Sequence, residues 1–167
     1  LVVPSLTLET IARDVWHQPP SRLHRIPNGI DTAAFAAPAD PAALPIRKAQ
    51  DTHWVGTLAG LRAVKRLTDL VAAFAPLGPE WHLVICGEGP ERDAILAAAA
   101  AHGVAERVHL PGSVDPARVA GLFDIFALSS ASERFPLSVV EAMAAGLPIA
   151  APDVGDIAEI LSEPNRA

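Results

Sequence analysis

Two glutamates separated by seven residues, Glu133 and Glu141, are the strongest candidates for chemistry in this sequence. Glu133 follows the apolar run 125–128, and Glu141 lies between Pro136 and Gly146. A proline near the start and a glycine just past the end are typical of a helix. Carboxylates accept hydrogen bonds from hydroxyl groups, and a helix N-terminus attracts phosphate. The stretch therefore suits a ligand with phosphate and sugar hydroxyls, although spacing alone favours an ordinary surface role for both glutamates.

The order of elements around these glutamates is strand, loop, helix and strand. It places Glu133 in the loop after a strand, and Glu141 about a turn and a half inside the following helix, on the same face as Ser138. In a parallel sheet, loops at the carboxyl ends of the strands bind ligands. We therefore expect Glu133 and the start of the helix to lie at a ligand-binding edge.

A second candidate is the segment 56–65, GTLAGLRAVK, which follows another predicted strand. Gly56 opens it, and glycine lets the backbone approach a ligand closely. Arg62, Lys65 and Arg66 form the densest local group of basic residues and are suited to a diphosphate. On composition alone, a solvated loop and helix start is the favoured alternative.

The turn Gly87-Glu88-Gly89-Pro90 resembles part of a dinucleotide-binding fingerprint. It lacks the third glycine, and Pro90 removes an N–H donor. A plain strand-to-helix turn is therefore the favoured interpretation.

Metal, thiol and nucleophile chemistry find little support in the sequence. The six histidines are scattered singly, without metal-ligand spacing, and a structural or surface role is favoured for each. No Asp-x-Asp pair is present to hold a divalent metal on a diphosphate. Cys86 is the single cysteine; it excludes an internal disulfide and predicts a buried thiol in an apolar strand.

Composition describes a globular chain of 167 residues, half of them hydrophobic, with a net charge of −6. This charge argues against a broad nucleic-acid-binding surface. No apolar run reaches the roughly 20 residues of a membrane span, and no signal peptide opens the chain. We therefore expect a cytoplasmic protein, with any membrane association residing in a part that precedes or follows this chain. The abrupt apolar start, LVVPS, predicts a fragment.

Strands and helices alternate regularly from His53 onward, which predicts an α/β fold: a Rossmann-like, doubly wound parallel sheet with helices on both faces. The segment 33–50 is predicted to be a surface loop or linker. Helices are predicted over 6–15, 67–77, 90–101, 116–123 with Asp115 as the cap, and about 156–161, and strands include 125–128 and 147–151.

The sequence also resembles a known family. The stretch 129–156, SSASERFPLSVVEAMAAGLPIAAPDVGD, resembles the signature of retaining, two-domain B-type glycosyltransferases of family four. The segments IPNGID, VGTLAGLRAVK and GEGPERD are similar to further markers of that family. The resemblance extends from about Arg22 to Leu161.

The resemblance implies the nucleotide-sugar donor half of an enzyme in which two Rossmann-like domains face each other across a cleft. Residues 1–21 would be the tail of a missing N-terminal acceptor domain or a crossover segment. Residues 22–167 would be the C-terminal donor-binding domain, truncated before its closing helices. The substrates implied are a nucleoside diphosphate sugar and a glycan or lipid-linked acceptor, with no cofactor and no metal. The isolated fragment is expected to transfer nothing.

The resemblance also implies roles for individual residues. Glu133 would contact the transferred sugar near its anomeric carbon, as nucleophile or as stabiliser of a same-face attack. Lys65 would neutralise the diphosphate leaving group, and Glu141 would bind the ribose hydroxyls. Backbone atoms of residues 112–114 would meet the base. Further donor-binding positions are Gly56, Arg62, Val114, Phe135, Pro136, Leu137, Ser138 and Val139.

Two positions depart from the family pattern. Gly60 stands where similar sequences carry an arginine that shares the diphosphate with Lys65, so either Arg62 replaces it or donor binding is weaker. Arg134 stands where a small or neutral residue is common, and we expect it to face solvent. The Gly60 departure keeps open a non-catalytic interaction domain that retained the fold. A nucleotide-sugar epimerase of the same architecture is a further alternative.

Overall fold

A computed structural model of the chain describes residues 1–161, and the predicted end of the donor domain at 162–167 lies outside the described residues. Seven strands and seven α-helices alternate along the described chain. The strands are β1 Val2–Val3, β2 His24–Arg25, β3 His53–Leu58, β4 Trp81–Cys86, β5 Val108–Gly112, β6 Ile125–Ala127 and β7 Ile149–Ala150. The helices are α1 Leu6–Asp14, α2 Thr32–Ala36, α3 Leu67–Phe74, α4 Arg92–Ala101, α5 Pro116–Val119, α6 Leu137–Ala144 and α7 Ile157–Ile160.

Five strands form one parallel sheet in the order β5-β4-β3-β6-β7. This confirms the predicted Rossmann-like α/β class. The order reverses between β3 and β6, because the chain runs outward from β3 to β5 and then returns to β6. Such a switch point opens a crevice at the carboxyl ends of the strands, where ligands bind.

Apolar strand residues alternate between the two faces of the sheet and meet a helix layer on each. Val55 and Ile85 pack with helices α3 and α4 in one buried cluster. Trp54 and Val84, one position earlier in each strand, pack on the opposite side with Phe123. Burial on both faces explains why these strands are continuous apolar runs rather than alternating ones.

Helix ends follow local chemistry. Asp115 accepts from the N–H of Ala117, which confirms the predicted cap of α5, and Pro116 occupies the first helical position. That helix is shorter than predicted and continues as a 3-10 turn over Ala120–Leu122. The segment 33–50, predicted to be a surface loop or linker, contains most of α2 and a 3-10 turn at Pro41–Ala43. Asp31 and Asp40 cap these two elements, so the aspartates explain the correction.

The first 25 residues form a separate unit of secondary structure. Strands β1 and β2 pair only with each other, in parallel, and not with the five-stranded sheet. The predicted boundary between Ser21 and Arg22 therefore falls between two paired strands. The domain assignment itself stays a prediction.

Candidate functional site at the sheet switch point

Two loops meet where the sheet order reverses, and backbone hydrogen bonds join them. The loop after β3 carries a 3-10 turn at Ala63–Lys65, and the loop after β6 carries residues 128–136. The hydroxyl of Ser129 donates to the carbonyl of Lys65 at 2.8 Å, and the N–H of Ala131 donates to the carbonyl of Val64 at 2.9 Å. These bonds fix the main chain of Lys65 beside the loop that contains Glu133.

The side chains of Lys65 and Glu133 form an ion pair at this junction. Lys65 Nζ lies 2.6 Å from Glu133 Oε1. The carboxylate side chain is 11% exposed and the lysine side chain 25% exposed, so water screens the pair only in part. The structure thus brings together the two residues to which the family resemblance assigned the sugar and the diphosphate.

The start of α6 presents backbone donors without an internal partner. Pro136 occupies the N-cap position and supplies no side-chain cap. Within residues 1–161, the N–H groups of Leu137 and Ser138 have no hydrogen-bond acceptor. Two donors at a helix start, with the partial positive charge of the helix dipole, suit an anion.

Two other residues of this stretch contribute less than the sequence predicted. The N–H of Val139 donates to the carbonyl of Pro136 at 3.1 Å, and the Val139 side chain is fully buried against Phe126. Neither the N–H group nor the side chain of Val139 is therefore available to a ligand. This corrects the predicted contact between Val139 and the nucleotide-sugar donor. Pro136 has no N–H to offer and is itself buried, whereas Phe135 is half-buried.

A cleft of about 390 Å³ opens beside the switch point. Its lining includes Leu58, Gly60, Glu88, Ser113, Val114 and Glu141. The cleft brings Glu141 of α6 together with Val114, which follows β5. The sequence had assigned these two residues to the ribose and the base of one nucleotide.

Burial raises the pKa of the Glu141 carboxyl. Within residues 1–161 no ion pair joins Glu141 to a cation. Its carboxylate oxygens are therefore available for hydroxyl donors of a ligand.

Gly56 lies elsewhere. It is buried within β3 rather than in the loop after it, and a side chain at this position would overlap the ring of Phe123. Close packing of that ring explains the glycine. Gly56 lies inside the strand, which ends at Leu58, and it does not line the cleft, so the structure does not bring it together with Glu141 and Val114.

Arg62 occupies the space beside Gly60. A Cβ built on Gly60 would lie 3.7 Å from Nε of Arg62. The Arg62 guanidinium is thus near the position where similar sequences have their arginine. Arg134 is exposed, as expected, and its NH1 lies 3.4 Å from Ser132 Oγ.

The glycines of the Gly-x-Gly turn serve packing of the neighbouring loop. A side chain on Gly87 would overlap the carbonyl of Ala59, and one on Gly89 would overlap the carbonyl of Leu61. The N–H of Leu61 also donates to the carbonyl of Glu88 at 2.9 Å. A structural turn, the favoured interpretation, accounts for both glycines.

Sequence reasoning missed a buried aspartate behind the site. Asp156 is 4% exposed, and its carboxylate accepts hydrogen bonds from the first turn of α1. Its own N–H donates to the carbonyl of Arg134 at 3.3 Å. Local spacing in the sequence cannot reveal this contact, because Leu6 lies 150 residues before Asp156.

Two histidines that the sequence treated as scattered are in fact paired. His82 Nδ1 lies 2.8 Å from His109 Nε2, and the two rings stack with an interplanar angle of 10°. They lie near the starts of neighbouring strands β4 and β5, away from the switch-point loops. Burial lowers the pKa of both rings; the charge of Arg107 lowers the pKa of His82 further, and His82 lowers the pKa of His109 further.

Within residues 1–161, no group of three or more His, Cys, Asp or Glu side chains is arranged to hold a metal ion. No described helix is long and apolar enough to cross a membrane. Burial raises the pKa of the Cys86 thiol to about 12, as fits its predicted buried position.

Comparison with known proteins adds a family. Residues 45–165 match the family model for glycosyl transferases group 1. The chain is 34% identical over 157 residues to a GDP-mannose-dependent alpha-mannosyltransferase of Mycobacterium tuberculosis, covering 87% of this chain and 37% of that protein. It is 30% identical over 149 residues to a 2-deoxystreptamine glucosyltransferase of Streptomyces kanamyceticus, covering 83% and 38%. The chain thus spans just over a third of the length of these relatives.

The fold has solved counterparts. HepE of Anabaena, crystallised with UDP and glucose, superposes with a TM-score of 0.84 at 22% identity. The superposition covers 97% of this chain and 46% of that protein. At this identity, the likeness shows a shared B-type glycosyltransferase fold.

Proposed function

The chain belongs to the glycosyl transferases group 1 family, and from this premise we propose that it is the donor-binding part of a retaining glycosyltransferase. The enzyme transfers a sugar from a nucleoside diphosphate sugar to a glycan or lipid-linked acceptor. The observation that carries the proposal is the ion pair of Lys65 and Glu133, 2.6 Å apart, next to the uncapped start of α6. A cation, helix N–H donors and a carboxylate at one switch point match a diphosphate joined to a sugar.

In this proposal the diphosphate lies at the start of α6. It accepts from the free N–H groups of Leu137 and Ser138, and the ammonium of Lys65 neutralises its charge. Arg62 supplies a second cation from the space beside Gly60. The proposal assigns charge neutralisation to these side chains and uses no metal ion.

The nucleoside occupies the cleft of about 390 Å³. The Glu141 carboxylate accepts hydrogen bonds from the two ribose hydroxyls, and the backbone at Val114 contacts the base. Relatives differ in the nucleotide they use: one is named for GDP-mannose, whereas HepE was crystallised with UDP. Titration with nucleotides that carry different bases distinguishes these possibilities for this chain.

Transfer breaks the bond between the anomeric carbon and the diphosphate oxygen, and the electron pair leaves with the diphosphate. Lys65 stabilises that developing charge, an electrostatic contribution to catalysis. The acceptor hydroxyl oxygen bonds to the anomeric carbon, and its proton passes to the leaving diphosphate. Glu133 either stabilises the cationic sugar from the face opposite the leaving diphosphate, or first bonds to the anomeric carbon on that face and is then displaced by the acceptor oxygen. Both routes retain the anomeric configuration.

The test has two stages. First, calorimetric titration of the chain with UDP, GDP and ADP should show binding of one nucleotide that Glu141→Ala weakens. Second, the full-length protein should transfer sugar from the matching donor, and Glu133→Gln should abolish transfer while nucleotide binding persists. Absence of binding by all three nucleotides at millimolar concentration would contradict the proposal.

Gly60 motivates the second candidate, a non-catalytic interaction domain. Under that alternative, Glu133→Gln changes no property of the full-length protein. An epimerase would instead alter the donor sugar without an acceptor, and analysis of the sugar product separates it from a transferase. The position of Arg62 beside Gly60 favours a transferase with a relocated cation.

A further inference from the structure

The loop that carries Glu133 rests on residues 155–156. Gly155 has a φ of 61°, and a side chain there would overlap the carbonyl of Glu133. The N–H of Asp156 donates to the carbonyl of Arg134 at 3.3 Å. The main chain on both sides of the Glu133 carbonyl is therefore held against this short segment.

The segment is itself fixed by the Asp156 side chain. Asp156 Oδ1 accepts from the N–H of Thr7 at 2.9 Å, and Oδ2 accepts from the N–H of Leu6. Ser5, fully buried, accepts from the N–H of Leu8 at 3.0 Å. Carboxylate-to-N–H bonds at a helix N-terminus are charge-assisted and favoured by the helix dipole. The contact thus ties the first turn of α1 to the wall behind Glu133.

We propose that Asp156 is a positioning residue, which holds the Glu133 loop in its reactive place by anchoring it to α1. The inference rests on the proposed function, since it concerns the same Glu133. Among residues 1–161, Asp156 does not line the donor cleft, and its contact with the site is the hydrogen bond from its N–H to the carbonyl of Arg134. Its loss therefore shifts the Glu133 carboxylate and leaves the nucleotide contacts of Glu141 and Val114 in place.

Leu6 offers a way to break the same contact from its other end. Leu6 is the first residue of α1, where proline is accepted because its missing N–H has no partner within the helix. Ser5 before it has φ −136° and ψ 152°, the extended conformation that a following proline requires. Leu6→Pro therefore deletes one donor to Asp156 and keeps the helix. Leu6→Ala removes the side chain alone and is the matched control.

A control variant distinguishes an effect on the position of Glu133 from a general loss of stability of the fold. Removing a helix-capping carboxylate and shortening the fully buried Ile95 to valine lower the stability of a fold by comparable amounts. Ile95 lies on α4, on the face of the sheet that packs α3 and α4. Ile95→Val thus gives a comparable loss of stability without contact to the Glu133 loop.

The experiment measures kcat, donor KM and melting temperature of the full-length protein. We expect Asp156→Ala and Leu6→Pro each to lower kcat by about 10-fold to 100-fold, because small misplacements of a reacting group have such effects. Donor KM should stay within about twofold, as for loss of an interaction made in the transition state. Leu6→Ala and Ile95→Val should keep the wild-type kcat. Asp156→Asn, which keeps the shape of the side chain, replaces Asp156→Ala if that variant does not fold.

Three outcomes overturn the inference. If Asp156→Ala has the same kcat as Ile95→Val, the role of Asp156 is purely structural. If Leu6→Pro has the same kcat as Leu6→Ala, the contact between Leu6 and Asp156 does not affect catalysis. Equal losses in kcat and donor affinity show a general disturbance of the cleft. An inactive wild-type protein would overturn the proposed function and this inference together, whereas an active wild type with insensitive variants overturns this inference alone.

Discussion

Lys65 and Glu133 lie 68 positions apart in the sequence, yet their charged atoms are 2.6 Å apart. The pairing follows from topology, because β3 and β6 are neighbours in the sheet although two further strands separate them along the chain. In the ligand-free protein each charge therefore neutralises the other. A diphosphate that binds Lys65 must compete with the Glu133 carboxylate for the ammonium.

Lys65→Ala should lower kcat/KM for donor by about 10²-fold to 10³-fold, the range for loss of one preorganised electrostatic contact. It also leaves Glu133 without its partner. Steady-state transfer assays on the full-length protein measure the effect. Lys48, the other lysine of the sequence, provides the control, since it too forms an ion pair, with Asp124 at 2.5 Å. Lys48→Ala should leave kcat/KM unchanged; equal losses for the two variants would refute the assignment.

Arg62→Ala should raise donor KM by about 10-fold to 100-fold, because a hydrogen bond to a charged group contributes about 1.5–3 kcal/mol. Arg66→Ala is the matched control, since Arg66 is a neighbouring exposed arginine that pairs with Asp69. Measuring the affinity for the nucleoside diphosphate and for the corresponding monophosphate distinguishes loss of a contact to the diphosphate from a general change in the shape of the site. Arg62→Ala should weaken only diphosphate binding. Unchanged affinity of Arg62→Ala for the diphosphate would show that Arg62 does not replace the arginine that similar sequences carry at position 60.

Nucleotide affinity should depend on pH through Glu141. Burial raises its pKa, so the carboxyl takes up a proton at a higher pH than an ordinary glutamate, whose pKa is about 4.3. Protonation removes acceptor capacity for the ribose hydroxyls, and affinity should therefore fall as pH decreases through the raised pKa. Glu141→Gln should bind more weakly at neutral pH and show no such decline. Calorimetry with ribose and 2′-deoxyribose nucleotides tests this, because the deoxy form should depend less on pH.

The stability of the fold should decrease in mild acid because of His82 and His109. Burial, together with Arg107 for His82 and with His82 for His109, lowers both pKa values below about 6.5. The unfolded chain therefore binds protons first as pH falls. The free energy of unfolding is fully retained above the unfolded pKa and declines as pH falls from there through the lower folded values.

Urea unfolding of His109→Gln against wild type, between about pH 5 and pH 8, tests this effect. The variant should show a flatter pH dependence. His102→Gln is the control, since His102 is exposed and should leave the slope unchanged. If the free energy of unfolding of His109→Gln depends on pH as steeply as that of the wild type, other groups cause the acid sensitivity.

Gly56→Ala should destabilise the fold by about 1–3 kcal/mol, because the added methyl group overlaps the buried ring of Phe123. Gly60→Ala should have little effect on stability, since its nearest neighbours would be 3.7 Å and 3.8 Å away. Denaturant unfolding measures both. Phe123→Leu should recover part of the loss in the Gly56→Ala background; no recovery would place the strain elsewhere.

The fold class was predictable because each buried strand is an apolar run bounded by turn residues. Glu133 and Lys65 were predictable as neighbours for a related reason, since each follows a strand of a parallel sheet, and the family resemblance selected them from other loop residues. Their exact pairing was beyond local patterns, because it depends on hydrogen bonds of Ser129 and Ala131 to the other loop.

Other residues whose partners are distant in sequence escaped prediction. The pairing of His82 with His109 depends on the register of β4 against β5, which no periodicity within either strand reports. Gly56 was predicted to contact a ligand because a glycine packed within a strand and a glycine beside a ligand have the same local signature. Only the position of the Phe123 ring distinguishes them.

The contact between Asp156 and α1 also has a consequence for biosynthesis. The acceptor for the Leu6 N–H is made 150 residues after Leu6 itself, so nearly the whole described chain leaves the ribosome before the first helix receives its carboxylate. Closing so long a loop has an entropic cost that rises slowly with length, and contacts of this kind form late. Helix α1, at 9 residues, is too short to be stable alone in water, so it depends on contacts with other parts of the chain, and its contact with Asp156 forms only after that residue has been synthesised.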